Sequence, residues 1–262
     1  MAVSLDQILD STRRGLPSLR ERRGPLEREA GSRARPPSLS RALRRDRVAL
    51  VAELKRRSPS AGVIRDDLDP RERASLYAGH GAAAISVLTD PAHFGGSIED
   101  LRAAASRVEV PLLRKDFILD ELQVIEARAA GAAAVLLIVR ALPPARLEAL
   151  LACAGAVGLE AVVEVHTATE LERALDAGAS IVGVNSRDLD TFRIDVAGAW
   201  ELLGRVPADR VALAESGMRG LEDVERAAGA GADAVLVGTA LSVASDPAGL
   251  LRQLSEVPRR AR

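Results

Sequence analysis

Residues 230–238 read AGADAVLVG: small residues around Gly231, then a run of aliphatic side chains. Related phrases stand at 80–88 (HGAAAISVL), 130–138 (AGAAAVLLI) and 177–184 (AGASIVGV). In each, a glycine is placed to end a helix in the left-handed conformation just before an apolar run of strand length. The recurrence marks an internal repeat of one strand-and-helix unit.

Outward from these phrases, eight apolar runs can be counted: RVALVAEL (47–54), AAISVLT (83–89), VPLLRKDF (110–117), AAVLLIV (133–139), EAVVEVH (160–166), SIVGVN (180–185), RVALAES (210–216) and DAVLVG (233–238). Each is followed by a segment that reads as a helix, around 70–79, 97–107, 120–130, 143–157, 168–177, 195–204, 220–229 and 246–256. Start signals support several of these helices, including Ser97 with Glu99 and Asp100 close behind, and Pro143-Pro144 at a first turn. Runs without clean polar alternation suit a parallel sheet covered on both faces. Eight such units in roughly 200 residues suit a closed barrel better than an open sheet, so the expected fold is an α/β protein of (β/α)8, or TIM-barrel, type. The alternative is a doubly wound sheet, whose GxGxxG fingerprint after the first strand is absent.

With 262 residues, 47% hydrophobic content and a net charge of -1, the chain can bury one sizeable core and carries no global charge calling for nucleic acid. No apolar run approaches the roughly 20 residues that cross a bilayer, and MAVSLDQILDSTRRG lacks the long apolar segment of a secretory signal. A cytoplasmic protein without membrane contact is expected. The single cysteine, Cys153, lies in LEALLACAGAVG and reads as a core or helix residue. His80, His93 and His166 show no metal-ligand spacing and no CxxC accompanies them, so no metal is expected.

Residues 1–46 stand outside the repeat. They are rich in arginine, with a helix-like start, SLDQILDSTRRGLPSLRERR, and a breaker cluster, GSRARPPSLS. They read as a helical extension packed on the barrel with a solvated charged face, so that 1–46 and 47–262 together make one structural domain. A basic arm for nucleic acid would need interleaved aromatic residues, which this segment lacks.

In such barrels chemistry is done where the strands end. The first run ends in Glu53 and Lys55, the third in Lys115-Asp116, the fifth in Glu164, the sixth in Asn185-Ser186, the seventh in Glu215-Ser216-Gly217 and the eighth in Gly238-Thr239. Side chains alternate along a strand, so Glu53 and Lys55 share a face with Ala49 and Val51, and that face is expected to point inward and up. Taken alone, Glu53 with Lys55 reads equally well as a structural ion pair. Three carboxylates, two lysines and an amide at one mouth point instead to an acid/base site, because buried charge is costly unless paired or used.

The segments ESG (215–217) and LVGTAL (236–241) follow the seventh and eighth strands, where backbone N–H groups can approach an anion. A phosphate seat is expected there. Of only three phenylalanines, Phe94 follows strand two, Phe117 closes strand three and Phe192 follows strand six, which suggests an apolar portion of the substrate at the same mouth. Trp200 and Tyr77, both within helices, read as structural.

The phrases VAELKRRSPSAG, ISVLTD with FGGSIEDL, PLLRKDFILDELQV, VVEVH, VGVNSRDLDTF, AESG and AVLVGTAL, in order between residues 48 and 241, closely resemble the indole-3-glycerol-phosphate synthase family of tryptophan biosynthesis. The resemblance implies closure of 1-(2-carboxyphenylamino)-1-deoxy-D-ribulose 5-phosphate to indole-3-glycerol phosphate with loss of CO2 and water, and no cofactor. It implies that Lys115 is the general acid toward the ketone oxygen, and that Lys55 contacts the substrate carboxylate and assists proton transfer. Glu53 and Glu164 would serve the later proton shifts, Asn185 would bond a substrate hydroxyl and position a glutamate, and Glu215 would order the lysines. Ser216, Gly217, Gly238, Thr239, Lys55 and Ser58 would form the phosphate end, with Phe94, Phe117 and Leu189 beside the anthranilate ring.

Thr239 stands where the family often has glutamate, LYAGHGAAA replaces a more usual YEAGGAAA, and residues 1–46 match only loosely. Two alternatives are a phosphoribosylanthranilate isomerase-type enzyme, whose usual catalytic cysteine or aspartate is missing here, and a phosphosugar-binding barrel without turnover. The expected partner is a phosphorylated small molecule. A monomer is expected, with contact to other enzymes of the tryptophan pathway as an option.

Overall fold

The computed structural model describes residues 4–59, 62–191, 193–260 and 262. Each apolar run carries one strand: β1 (Ala49–Leu54), β2 (Ala82–Leu88), β3 (Leu112–Lys115), β4 (Ala134–Ile138), β5 (Glu160–Val165), β6 (Ile181–Asn185), β7 (Val211–Glu215) and β8 (Ala234–Val237). Neighbours in sequence pair in parallel, and β1 closes the ring against β8, with Ala49 opposite Ala234 and Ala52 opposite Val237. The fold is therefore the expected (β/α)8 barrel, and a doubly wound open sheet is excluded. Gly81, Gly131, Gly178 and Gly231, one in each repeated phrase, all have the left-handed φ that lets the helix stop and the chain turn into the next strand.

The alternation in β1 sorts two cores. Val48, Leu50, Ala52 and Leu54 belong to the layer between barrel and helices. Ala49 and Val51 belong to the barrel interior, with Leu113, Leu136, Val162, Leu213 and Leu236. Each buried valine or leucine among them contributes about 1.5–3 kcal/mol. Because the middle of the interior is filled with side chains, charged groups on the inward face have room only at its two ends.

The segment before the barrel spans it from top to bottom. Helix α1 (Leu5–Glu21) starts with a capping box, in which the Gln7 N–H donates to Ser4 Oγ and the Ser4 N–H donates to the Gln7 side chain. Its Leu5, Ile8 and Leu9 lie one helical turn apart and join the interior cluster beside Phe117, roofing the top. Leu19, with Leu26 and Ala30 of α2 (Arg23–Ser32), packs outside against Leu122 and Ala129 of the helix Glu121–Ala130. The short α3 (Leu39–Leu43) then closes the bottom, where the N–H groups of Leu39 and Ser40 donate to Glu160 at the start of β5.

Three elements escaped the sequence reading because they are too short to show a period: a hairpin pairing Arg57–Ser58 with Gly62–Val63, a helical turn Pro91–Phe94, and a 3-10 turn Val139–Ala141 directly after β4. With the short helix Thr239–Val243 directly after β8, they lie beyond the C-terminal ends of barrel strands.

Candidate active site

Above the last interior layer, the strand ends enclose a cavity of about 710 Å³. Glu53, Lys55, Lys115, Glu164, Asn185, Glu215 and Ser216 all line it, and so do Ser58, Gly217, Gly238, Thr239, Phe94, Phe117 and Leu189. Every described residue among those expected at the site is thus brought to one space. Phe192 lies outside the described residues.

Lys115, last in β3, reaches across the barrel to two glutamates. Its Nζ is 2.5 Å from Glu215 Oε2 on β7 and 3.3 Å from Glu164 Oε2 on β5. Lys55 Nζ forms a second pair with Glu53 Oε1 at 3.3 Å. The three carboxylates are dry, with Glu53 and Glu215 each 2% exposed and Glu164 1%.

This crowding fixes protonation. Burial disfavours the Lys115 ammonium, but Glu215, Glu164 and Glu53 more than compensate and hold its pKa well above the usual lysine range. Burial likewise raises Glu164, yet Lys115, His166 and the Asn185 amide outweigh it and leave Glu164 below its ordinary value. One ammonium cannot neutralise both carboxylates it touches. Burial and the neighbouring Glu164 therefore push Glu215 up to about 7, against the pull of Lys115. Lys115, Glu164 and Glu215 form one proton-sharing unit, with an ammonium and a carboxylate side by side at neutral pH.

Two glycines make room for it. A Cβ on Gly183 of β6 would stand 2.1 Å from Glu215 Oε1, and one on Gly238 would stand 2.3 Å from Glu53 Oε1. After β7 the chain turns through Ser216 and Gly217, both left-handed, with φ of 65° and 77°. For a serine this conformation costs about 1–2 kcal/mol. Such strain persists where the surroundings impose it, and here it turns the backbone toward the cavity beside the helix Thr239–Val243.

The opposite wall is apolar. Phe94 and Phe117 pack with ring centroids 6.3 Å apart, and Leu5 and Ile8 of α1, Ile138 and Leu189 continue the surface. The cavity thus has a lysine–glutamate centre, an apolar side and a glycine-bearing rim after β7 and β8.

The family model described as indole-3-glycerol phosphate synthase matches residues 5–254, nearly the whole described chain. The chain belongs to the indole-3-glycerol phosphate synthase family. It is 52% identical over 223 residues to indole-3-glycerol phosphate synthase 2 of Streptomyces coelicolor, covering 84% of this chain and 86% of that one. It is 48% identical over 247 residues to the indole-3-glycerol phosphate synthase of a Parafrankia species, covering 93% of this chain and 92% of the relative. Among solved structures, 3-hexulose-6-phosphate synthase from Salmonella typhimurium is similar with a TM-score of 0.63 and 19% identity, over 80% of this chain and 97% of that one. Thiamine phosphate pyrophosphorylase from Pyrococcus furiosus is similar with a TM-score of 0.60 and 19% identity, over 81% and 95%. At that identity these two similarities speak to the barrel alone.

In this member of the indole-3-glycerol phosphate synthase family, sequence reasoning missed several residues that line the cavity. Arg187 follows Asn185 by two and brings a partly buried guanidinium whose pKa burial lowers. The motif VNSRDL contains it, and its position on the same side of the chain as Asn185 was the available signal. Leu5 and Ile8 carried only an amphipathic pattern, with nothing to say that the helix roofs the mouth. Behind β3, buried Arg114 donates to Asp116 Oδ2 at 3.0 Å and to Glu126 Oε2 at 2.9 Å. Arg114 and Glu126 hold the strand end from outside the cavity, while Asp116 lines it.

Proposed function

We propose that the cavity closes 1-(2-carboxyphenylamino)-1-deoxy-D-ribulose 5-phosphate to indole-3-glycerol phosphate, as a carbon–carbon lyase that releases CO2 and water. The observation that carries this reading is Lys115 held between Glu164 and Glu215, an ammonium donor beside a carboxylate acceptor in a dry pocket. The ring carbon that bears the carboxylate attacks the ketone carbon, and the ketone oxygen takes a proton from Lys115, which avoids an unsolvated alkoxide. The bond to the ring carboxylate then breaks, CO2 leaves, and its bonding electrons restore the aromatic ring. Loss of the new hydroxyl as water, with a proton from the reloaded Lys115, and of one proton from the adjacent carbon completes the indole. Glu164 and Glu53 are the bases for that traffic, and Glu215 returns a proton to Lys115.

The rest of the cavity fits the substrate's two anions. Ser58, Lys55 and the backbone of Ser216, Gly217, Gly238 and Thr239 suit the phosphate, while Phe94, Phe117 and Leu189 suit the aromatic ring. Arg187 and Lys55 offer cations for the ring carboxylate, and Asn185 offers an amide to a sugar hydroxyl. On this reading the protein is a monomer acting on a diffusible metabolite in the cytoplasm, as a step of tryptophan biosynthesis. Among the described residues no helix is long and apolar enough to cross a membrane.

The test is to mix purified protein with the carboxyphenylamino sugar phosphate. Indole absorbance and fluorescence should appear with one CO2 per product. Tight binding without either would identify a phosphosugar-binding barrel instead.

A further inference from the structure

A line of charge behind Glu164 is not used by the reaction as derived above. His166 directly follows β5, two residues beyond Glu164 and therefore on the same side of the chain. Its Nε2 lies 3.5 Å from Glu164 Oε1, and its Nδ1 lies 3.3 Å from Glu170 Oε2 in the first turn of the helix Ala168–Asp176. The imidazole is only 5% exposed, so water does not replace either contact. Glu170 also accepts from the His166 backbone N–H at 2.7 Å and from Arg140 Nε at 3.0 Å. Arg140, in the turn after β4, donates onward to Asp188 at 2.8 Å in the loop that carries Leu189. The charged groups facing the ring are thus Glu164 from β5, Glu170 from the following helix and Arg140 from the turn after β4.

The geometry decides where the protons sit. Burial raises Glu170, but its bonds from His166 and Arg140 prevail and hold it at about 2, so it is a carboxylate that can only accept. Nδ1 must therefore donate to it. A neutral ring in that tautomer would turn the Nε2 lone pair toward the lone pairs of Glu164 Oε1, across 3.5 Å of dry interior. A proton on Nε2 replaces that repulsion with attraction. Neither Nε2 nor Glu164 Oε1 has another hydrogen-bond partner among the described residues.

We propose that His166 stands as an imidazolium between Glu164 and Glu170 and acts as a positioning residue, keeping Glu164 ionised and aimed at Lys115. Burial opposes the ring's charge, yet Glu170 and Glu164 raise its pKa above the usual imidazole value. The inference rests on the assignment of Glu164 to proton transfer. It makes Glu164 a base flanked by two cations, Lys115 in front and His166 behind.

The test is an NMR titration of the imidazole resonances of the purified protein, with the three histidines assigned through His80→Gln, His93→Gln and His166→Gln. His166 should titrate above the ordinary value of about 6.5, and should move back toward it in Glu164→Gln. The second readout is the pH profile of kcat. Without the imidazolium Glu164 protonates more easily, so the acidic limb should move to higher pH in His166→Gln, with kcat at pH 6 down about tenfold and KM changed less than about twofold. A His166 with an ordinary titration that ignores Glu164→Gln would overturn the proposal, as would superimposable pH profiles. The titration needs no turnover, so an inactive protein with a coupled His166 and Glu164 would refute the proposed reaction and leave this pair standing.

Discussion

Gly183 on β6 faces Glu215 on β7 so closely that a single added methyl group would stand 2.1 Å from the carboxylate. The absence of a side chain on one strand is what lets Glu215 lie across the barrel and meet Lys115. Gly183→Ala should therefore push Glu215 off Lys115. Overpacking of this kind costs about 1–3 kcal/mol. A displacement of about 1 Å at such a centre lowers kcat on the order of a hundredfold. Thermal melts and steady-state kinetics of the variant check both, and a normal kcat would show that Glu215 need not occupy this position.

Glu53 is held by Lys55 on one side and fitted against Gly238 on the other. If the pair only braces the fold, Glu53→Gln should lower the melting temperature and leave turnover intact. The proposed proton traffic requires the opposite, a fall in kcat of about a hundredfold or more with little change in stability. Measuring both quantities on the same preparation separates the two roles.

Glu215 should also leave a mark on stability. Its folded pKa of about 7 lies above the roughly 4.3 of an unfolded glutamate. Between these values the native state keeps a proton that the unfolded chain releases. Its stabilising contribution is therefore complete below the unfolded pKa and is lost as pH rises through about 7. Glu215→Gln removes that dependence, so the melting temperature of the variant minus that of the wild type should be more positive at pH 8 than at pH 5. A difference that does not vary with pH would place the shared proton elsewhere.

Much of the site was legible because a parallel barrel converts sequence order into position. Once β1 alternates, Ala49 and Val51 inside require Glu53 and Lys55 inside as well, and the same step places Glu164 and Glu215. The repeated phrases showed the strands because glycine and aliphatic residues encode the helix-to-strand turn locally. What was not legible depends on partners distant in sequence. Nothing around Gly183 announces that it makes room for a carboxylate 32 residues later. His166 could be judged only by metal-ligand spacing, and its value lies in the carboxylates on either side. The helix of Leu5 and Ile8 was readable as a helix, but its place over the mouth follows from packing against Phe117.

The central claim is that Lys115 delivers the proton to the ketone oxygen, and Lys115→Met tests it most directly. Turnover and substrate affinity should be measured together, by indole fluorescence and calorimetry. The expected result is a kcat lowered on the order of a thousandfold or more, with substrate still bound through the phosphate end. An unchanged kcat in this variant would contradict the mechanism.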